Sequence, residues 1–164
     1  MNEIEKKSLK SFFLSNKKIL IIFCTMIILI GVYFWWSQNL NIKEKYKNSE
    51  DFIGAKVLLS QNNKVKSLEV LKKIILQNDE VYSPLSLFLI IDKDLETNKK
   101  NVIKYFDQVL SIKSLEKEDR NLLKLKKAIY LSEDAEENDL LNLLNPILNS
   151  NSVWKYQSLK FIGD

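Results

Sequence analysis

Residues 19–36, ILIIFCTMIILIGVYFWW, form a run of eighteen residues without a charged side chain, and Lys17 and Lys18 stand directly before it. An α-helix rises 1.5 Å per residue, so such a run would extend roughly 27 Å, close to the thickness of the hydrocarbon core of a bilayer. The length and apolarity of this run predict a single transmembrane anchor over 19–36.

Two other interpretations of the run are a cleaved signal peptide and a buried core helix. The apolar region of a signal peptide usually has about 7–15 residues and ends in small side chains at a cleavage site. Here the run is longer and ends in YFWW at 33–36, followed by SQN. Because Trp and Tyr are enriched where a helix leaves the bilayer, we expect the segment to be retained as an anchor.

The basic charge of the chain is concentrated before the anchor. Residues 1–18 carry five lysines and two glutamates, whereas residues 37–164 carry 20 basic and 19 acidic side chains. The positive-inside rule therefore predicts that 1–18 is a cytoplasmic basic tail and that 37–164 is a soluble domain on the other side of the membrane. Nucleic-acid binding is not expected, because residues 37–164 have a basic excess of only one charge and Arg120 is the only arginine.

The residue types needed for most catalytic and metal sites are missing. The sequence has no histidine, its one cysteine (Cys24) lies in the predicted anchor, and its three glycines are isolated. The acidic cluster at 133–139 lacks the spacing and the glycine of a calcium loop. We therefore assign no catalytic, cofactor-binding or metal-binding residue and expect a protein that is not an enzyme. An anchored enzyme with a Ser/Lys or carboxylate site is the alternative from another class.

The rest of the chain has the apolar periodicity of helices separated by short polar turns. The predicted fold class is all-α, with helices near 40–61, 64–77, 83–96, 98–111, 115–132, 136–149 and 152–162. Residues that favour helix starts are Ser83 before Pro84, Ser114, Asp134 with Glu137, and Ser152. Pro146 predicts a kink or an early end in the sixth of these helices.

A repeat is present in the second, fourth and sixth of the predicted helices. Four apolar positions occur in three copies: Leu68, Leu71, Ile75 and Leu76; Val102, Tyr105, Val109 and Leu110; Leu140, Leu143, Ile147 and Leu148. The interval between the first two copies matches the tetratricopeptide repeat (TPR), which has a period of about 34 residues and a pair of antiparallel helices as its unit. The third copy follows after a slightly longer interval. We expect a TPR-like stack in which 152–162 is a capping helix, with another antiparallel bundle as the alternative.

Most aromatic side chains of the domain lie at the spacing of core positions, although some could line a peptide-binding groove. The sequence does not distinguish the two, so the binding residues stay unassigned. These aromatic residues are Tyr46, Phe52, Tyr82, Phe88, Tyr105, Phe106, Tyr130, Trp154, Tyr156 and Phe161.

The layout of the chain resembles the YfgM-like family of bacterial inner-membrane proteins. The resemblance rests on SFF at 11–13, NKK at 16–18, one anchor that ends in YFWW at 33–36, and a degenerate helical-repeat domain without disulfides. It implies a periplasmic TPR-like domain that contacts the SecYEG translocon and periplasmic chaperones and assists newly exported proteins. A scaffold for another envelope complex, in cell division or outer-membrane assembly, is the second hypothesis.

Overall fold

The computed structural model describes residues 17–163, without the side chains of residues 17, 19, 20 and 37–44. In this range every regular element is an α-helix, so the predicted all-α class is confirmed. The helices are α1 (Lys17–Ser60), α2 (Lys64–Leu76), α3 (Tyr82–Asp92), α4 (Lys99–Leu110), α5 (Lys117–Leu131), α6 (Glu137–Leu148) and α7 (Lys155–Gly163). Residues 1–16 of the predicted cytoplasmic tail lie outside the described residues.

The predicted separation between the apolar run and the first helix of the domain is wrong. Helix α1 continues through the polar stretch at 37–41 and is 44 residues long. No glycine or proline occurs between Gly31 and Gly54, so nothing in this stretch breaks the helix. By compactness, the chain divides into two units, Met1–Tyr46 and Lys47–Asp164.

Where side chains are described, no helix meets the length and apolarity required to cross a membrane. The predicted anchor begins with residues 19 and 20, whose side chains lie outside the described part, so the transmembrane assignment stays a prediction.

Three of the four predicted capping residues, Ser83, Ser114 and Asp134, do not cap a helix, although the helices begin within two residues of their predicted starts. Asp79 Oδ1 accepts from the backbone N–H of Val81 at 2.9 Å and of Tyr82 at 2.7 Å, so α3 begins before Ser83. Helices α5 and α6 begin after Glu116 and Glu136, rather than at Ser114 and Asp134.

The fourth predicted capping residue, Ser152, lies three residues before its helix but binds a free N–H group there, and Pro146 lies inside the preceding helix. Ser152 Oγ accepts from the N–H of Trp154 at 3.2 Å, just before α7. Pro146 is an internal residue of α6, which ends two residues later, at Leu148. Its missing N–H leaves the carbonyl of Asn142 without its usual partner in the helix, and the helix ends within the same turn.

Consecutive helices from α2 to α7 pack against each other, and α2 also packs against α4. This pattern of helix pairs is compatible with a TPR-like stack. The buried apolar residues of the described chain form two clusters. The larger is Ala55, Leu71, Ile74, Ile75, Leu87, Ile90, Val102, Phe106, Val109, Ile112, Leu115 and Leu123, and the smaller is Leu125, Ala128, Leu144 and Ile147.

The predicted repeat is uneven in its burial. Its third position, Ile75, Val109 and Ile147, is fully buried in all three copies. Its fourth is not, because Leu76 is 66% exposed.

A second repetition, which the sequence did not reveal, joins helices through polar side chains. Asn48 Nδ2 donates to Asp79 Oδ2 at 3.4 Å, and Asn121 Nδ2 donates to Ser152 Oγ at 3.1 Å. The interval from Asn48 to Asn121 equals the interval from Asp79 to Ser152, and it is close to two helix-pair periods. In each case a buried asparagine on one helix binds the residue that caps a later helix. Each amide therefore fixes the start of α3 or α7 against a neighbouring helix.

Candidate functional site

One candidate site is a cleft of about 210 Å³ between α3 and α5, which we call the α3–α5 cleft. Most of its lining is apolar or aromatic, and one residue of each charge lies beside it. The lining residues are Phe88, Ile91, Asp92, Lys126, Ile129 and Tyr130. Such a volume suits one or two side chains of a bound segment, rather than a drug-sized molecule.

The two charges of this cleft have different partners. Asp92 pairs with its neighbour Lys93 at 2.9 Å, and the hydrogen bond from Lys93 holds the pKa of Asp92 below its usual range. Lys126 Nζ lies 5.1 Å from the ring centroid of Phe88, a cation–π distance. Among the described side chains, no carboxylate lies within ion-pair distance of this ammonium group.

A larger cleft, of about 430 Å³, lies between α6 and α7 and is called the α6–α7 cleft. The α5–α6 turn and the first turns of α6 form one wall, and the end of α7 forms the other. Its lining residues are Ser132, Ala135, Glu137, Leu140, Leu141, Phe161 and Ile162. Because α6 and α7 belong to the smaller core cluster, this cleft lies where the module has least apolar packing of its own.

A polar cluster around Glu96 fixes the loop between α3 and α4. Lys72 Nζ donates to Glu96 Oε2 at 2.9 Å, the Asn98 N–H donates to Oε1 at 3.1 Å, and Asn101 Nδ2 donates to Oε2 at 3.1 Å. The hydrogen bond from Lys72 is the main cause that lowers the pKa of Glu96 to about 2, and it also raises the pKa of Lys72. The cluster ties α2 to the start of α4 and leaves Glu96 satisfied, so it is a structural support.

A second ion pair connects α4 to the α5–α6 turn. Lys99 Nζ pairs with Asp134, and this hydrogen bond raises the pKa of Lys99. The same ammonium lies 5.6 Å from the ring centroid of Tyr130, whose own pKa burial raises. Asp134 therefore has a partner within the chain, and its neighbour Glu133 also attracts the Lys99 ammonium group.

The residues that the sequence singled out take separate roles. Phe106 is fully buried, Tyr46 and Tyr156 are 71% and 74% exposed, and the other seven aromatic residues are half-buried against the two cores. Among the described residues, no group of three or more His, Cys, Asp or Glu could hold a metal ion. Both clefts went unrecognised in the sequence, because each is lined by segments that come together only when the helices pack.

The most apolar exposed surface is the first part of α1. Every residue from 21 to 36 is exposed, including Tyr33 at 72% and Trp35 at 71%. An unbroken apolar surface of this length far exceeds the scattered exposed residues that are normal in water.

No protein-family model, curated protein or solved structure matches this chain. The resemblance to the YfgM-like family stays a prediction, as do the partners that it implies.

Proposed function

We propose that the protein is a membrane-anchored protein-interaction module: residues 19–36 cross the bilayer, and residues 47–163 form a TPR-like stack that binds other proteins. The observation that carries this proposal is the exposure of every residue from 21 to 36. Burying such a surface in lipid removes its contact with water, and this burial stabilises the inserted helix by about 25 cal/mol per Å² of apolar area. The four aromatic residues at 33–36 then lie at one interface of the bilayer.

The TPR-like assignment is supported by helix pairing and by the two repetitions. Successive helices pack as neighbours, one apolar position is buried in three copies, and the asparagine-to-cap hydrogen bond occurs twice at a matching interval. In this assignment α7 is a capping helix, since it packs on α6 and completes the smaller core. Stacked helix pairs bind partners along extended surfaces, and the two clefts are the candidate contact points here.

The proposed location is a bacterial inner membrane, with 1–18 in the cytoplasm and the helical module in the periplasm. The basic tail and the charge balance of the module support this orientation. Following the resemblance, we propose the SecYEG translocon and periplasmic chaperones as partners, and a role as an adaptor for exported proteins. The second candidate is a scaffold for a division or outer-membrane assembly complex.

A photo-crosslinking amino acid placed at Ile129 tests the proposed partners in cells that express the full chain. Ile129 lines the α3–α5 cleft and is 50% exposed, and Val65, on α2 and 71% exposed, is a matched control outside both clefts. We expect translocon subunits or periplasmic chaperones to be crosslinked at Ile129 but not at Val65. Crosslinks to division or outer-membrane assembly proteins instead would reject the translocon adaptor and favour the scaffold of another envelope complex.

A further inference from the structure

The α6–α7 cleft combines an apolar lining with an unusually acidic surrounding sequence. Leu140 and Leu141 on α6 face the same space as Phe161 and Ile162 on α7, and all four are half-buried. Half-buried apolar side chains around an open cleft keep surface in contact with water that a ligand could cover.

The negative charge near this cleft lies on the α5–α6 turn and on α6, whereas the α7 wall carries Lys155 and Lys160. Residues 128–154 contain no lysine or arginine and five acidic side chains, all between 133 and 139. Asp134 pairs with Lys99, but among the described side chains no cation lies within ion-pair distance of the other four carboxylates. Glu137 is both in this group and in the lining of the cleft. Residues 47–127, in contrast, carry 16 basic and 12 acidic side chains.

Part of this negative charge has a structural explanation that needs no ligand, because two of the acids lie in the first turn of α6. Acidic side chains there interact with the helix dipole, and α5 carries Glu118 and Asp119 in the same way. However, α5 balances its acids with Lys117 and Arg120, whereas no cation follows the acids of α6 within that helix. The negative charge beside the α6–α7 cleft is therefore uncompensated along this helix.

We propose that the α6–α7 cleft binds the apolar face of a basic amphipathic helix from a partner protein. This inference rests on the proposed interaction function and names the chemistry of the partner at one site. Apolar side chains of the partner would occupy the space among Leu140, Leu141 and Phe161, as in helix-in-groove recognition. Its flanking lysines or arginines would meet Glu137 and the neighbouring carboxylates, which would orient the helix and speed its association. The same carboxylates disfavour an anionic lipid surface as the occupant.

The test uses a fluorescent helical peptide of about five turns with leucine on one face and lysine on the other, titrated into the full chain in neutral detergent micelles. A second peptide with glutamate in place of lysine has the same apolar face and controls for partition into micelles. We expect the lysine peptide to bind at least tenfold more tightly than the glutamate peptide. Equal affinity of the two peptides would overturn the inference.

Two variants locate the binding site. Glu137→Lys with Asp139→Lys should weaken the lysine peptide about tenfold, and Leu141→Ala should weaken it several-fold. Asp119→Lys with Glu116→Lys is the matched control, because it reverses two acids at the start of α5, away from the cleft. Binding by the control should stay within twofold of the native chain, and a loss equal to that of the α6 variant would overturn the proposed site.

Two outcomes separate this inference from the proposed function. If the peptide fails to bind while Ile129 still crosslinks to the expected partners, the inference fails and the interaction function stands. A dimer of the free chain that the α6 variant dissociates would assign the cleft to a second copy and would also overturn the proposal.

Discussion

The same types of apolar side chain are used in opposite ways in two regions of this molecule. From 21 to 36 they are exposed without interruption, and even the least exposed large side chain there, Ile30, is 50% accessible. In the helical module, Ile74, Ile75 and Phe106 are 0% exposed. Both regions are helical and rich in isoleucine, so neither helix propensity nor composition accounts for the difference.

What differs is the pattern along the helix. In the module, apolar residues recur every three or four positions and polar residues fill the opposite face, so each helix buries one face against its neighbours. Residues 21–36 are apolar all round, and packing against one face would leave most of that surface in water. A bilayer covers all faces at once, so the two regions should respond independently to substitution.

The largest expected effect comes from placing charge in the middle of the exposed run. Ile27→Lys together with Ile28→Lys should abolish membrane association, because each lysine at the centre of a spanning helix costs about 2.5–3.5 kcal/mol on insertion scales. Alkaline extraction of membranes, followed by detection of the chain in pellet and supernatant, measures this.

The matched control for this charge is Ile53→Lys with Val57→Lys. These residues are 59% and 49% exposed on the same helix but lie in the module, so this variant should stay in the pellet. Release of both variants, or of neither, would contradict the distinction between the two regions.

The complementary experiment leaves the exposed run at 21–36 intact and weakens the larger core of the module. Phe106→Ala should lower the free energy of unfolding of the module by about 3–5 kcal/mol, since it leaves a cavity at a fully buried site. Urea titration of the full chain in detergent, followed by circular dichroism, measures the loss. Membrane association should be unchanged, and a cost below about 1 kcal/mol would contradict the burial of Phe106 in the larger core.

A smaller effect, dependent on pH, is expected at Glu96. Its pKa of about 2 in the folded chain lies below its ordinary value of 4.5, so its ion pair stabilises the fold fully above pH 4.5 and is lost as the pH falls towards 2. Because the Lys72 side chain is 35% exposed, screening reduces the contribution to about 2 kcal/mol.

Glu96→Gln tests this contribution by comparison with the native chain. The difference in free energy of unfolding should be greatest near pH 7 and should shrink steadily below pH 4.5, as measured by urea titration at several pH values. A difference that persists unchanged at pH 2.5 would mean that the ion pair is not its source.

The smallest expected effect is a gain in stability, whereas the substitutions at Phe106 and Glu96 lower it. Among the buried side-chain polar atoms of the described residues, Ser86 Oγ alone has no hydrogen-bond partner, so Ser86→Ala should stabilise the module by about 1 kcal/mol. Ser83, one turn earlier and equally buried, donates to the carbonyl of Ile74 at 3.0 Å. Ser83→Ala is the matched control and should destabilise. Thermal unfolding of the two variants would contradict this assignment if their melting temperatures moved in the same direction.

The sequence predicted the elements that depend on local pattern. The six helices from α2 to α7 begin and end within four residues of their predicted bounds, because the apolar spacing is a property of each segment alone. One cap depended on packing: Ser83 stands before Pro84, a usual start signal, yet its hydroxyl donates to the Ile74 carbonyl of α2, and the nearby Asp79 binds the N–H of Tyr82. The clefts were out of reach for the same reason, since Leu141 and Phe161 meet only through the packing of α6 on α7.

The central claim is a helical module held outside the cytoplasm by one anchor, and alkaline phosphatase fused after residue 164 tests it most directly, because this enzyme folds to its active form only outside the cytoplasm. The account predicts an active fusion in the membrane fraction, and an Ile27→Lys/Ile28→Lys fusion that is inactive. A native fusion that accumulates to the same level but has no phosphatase activity would contradict it.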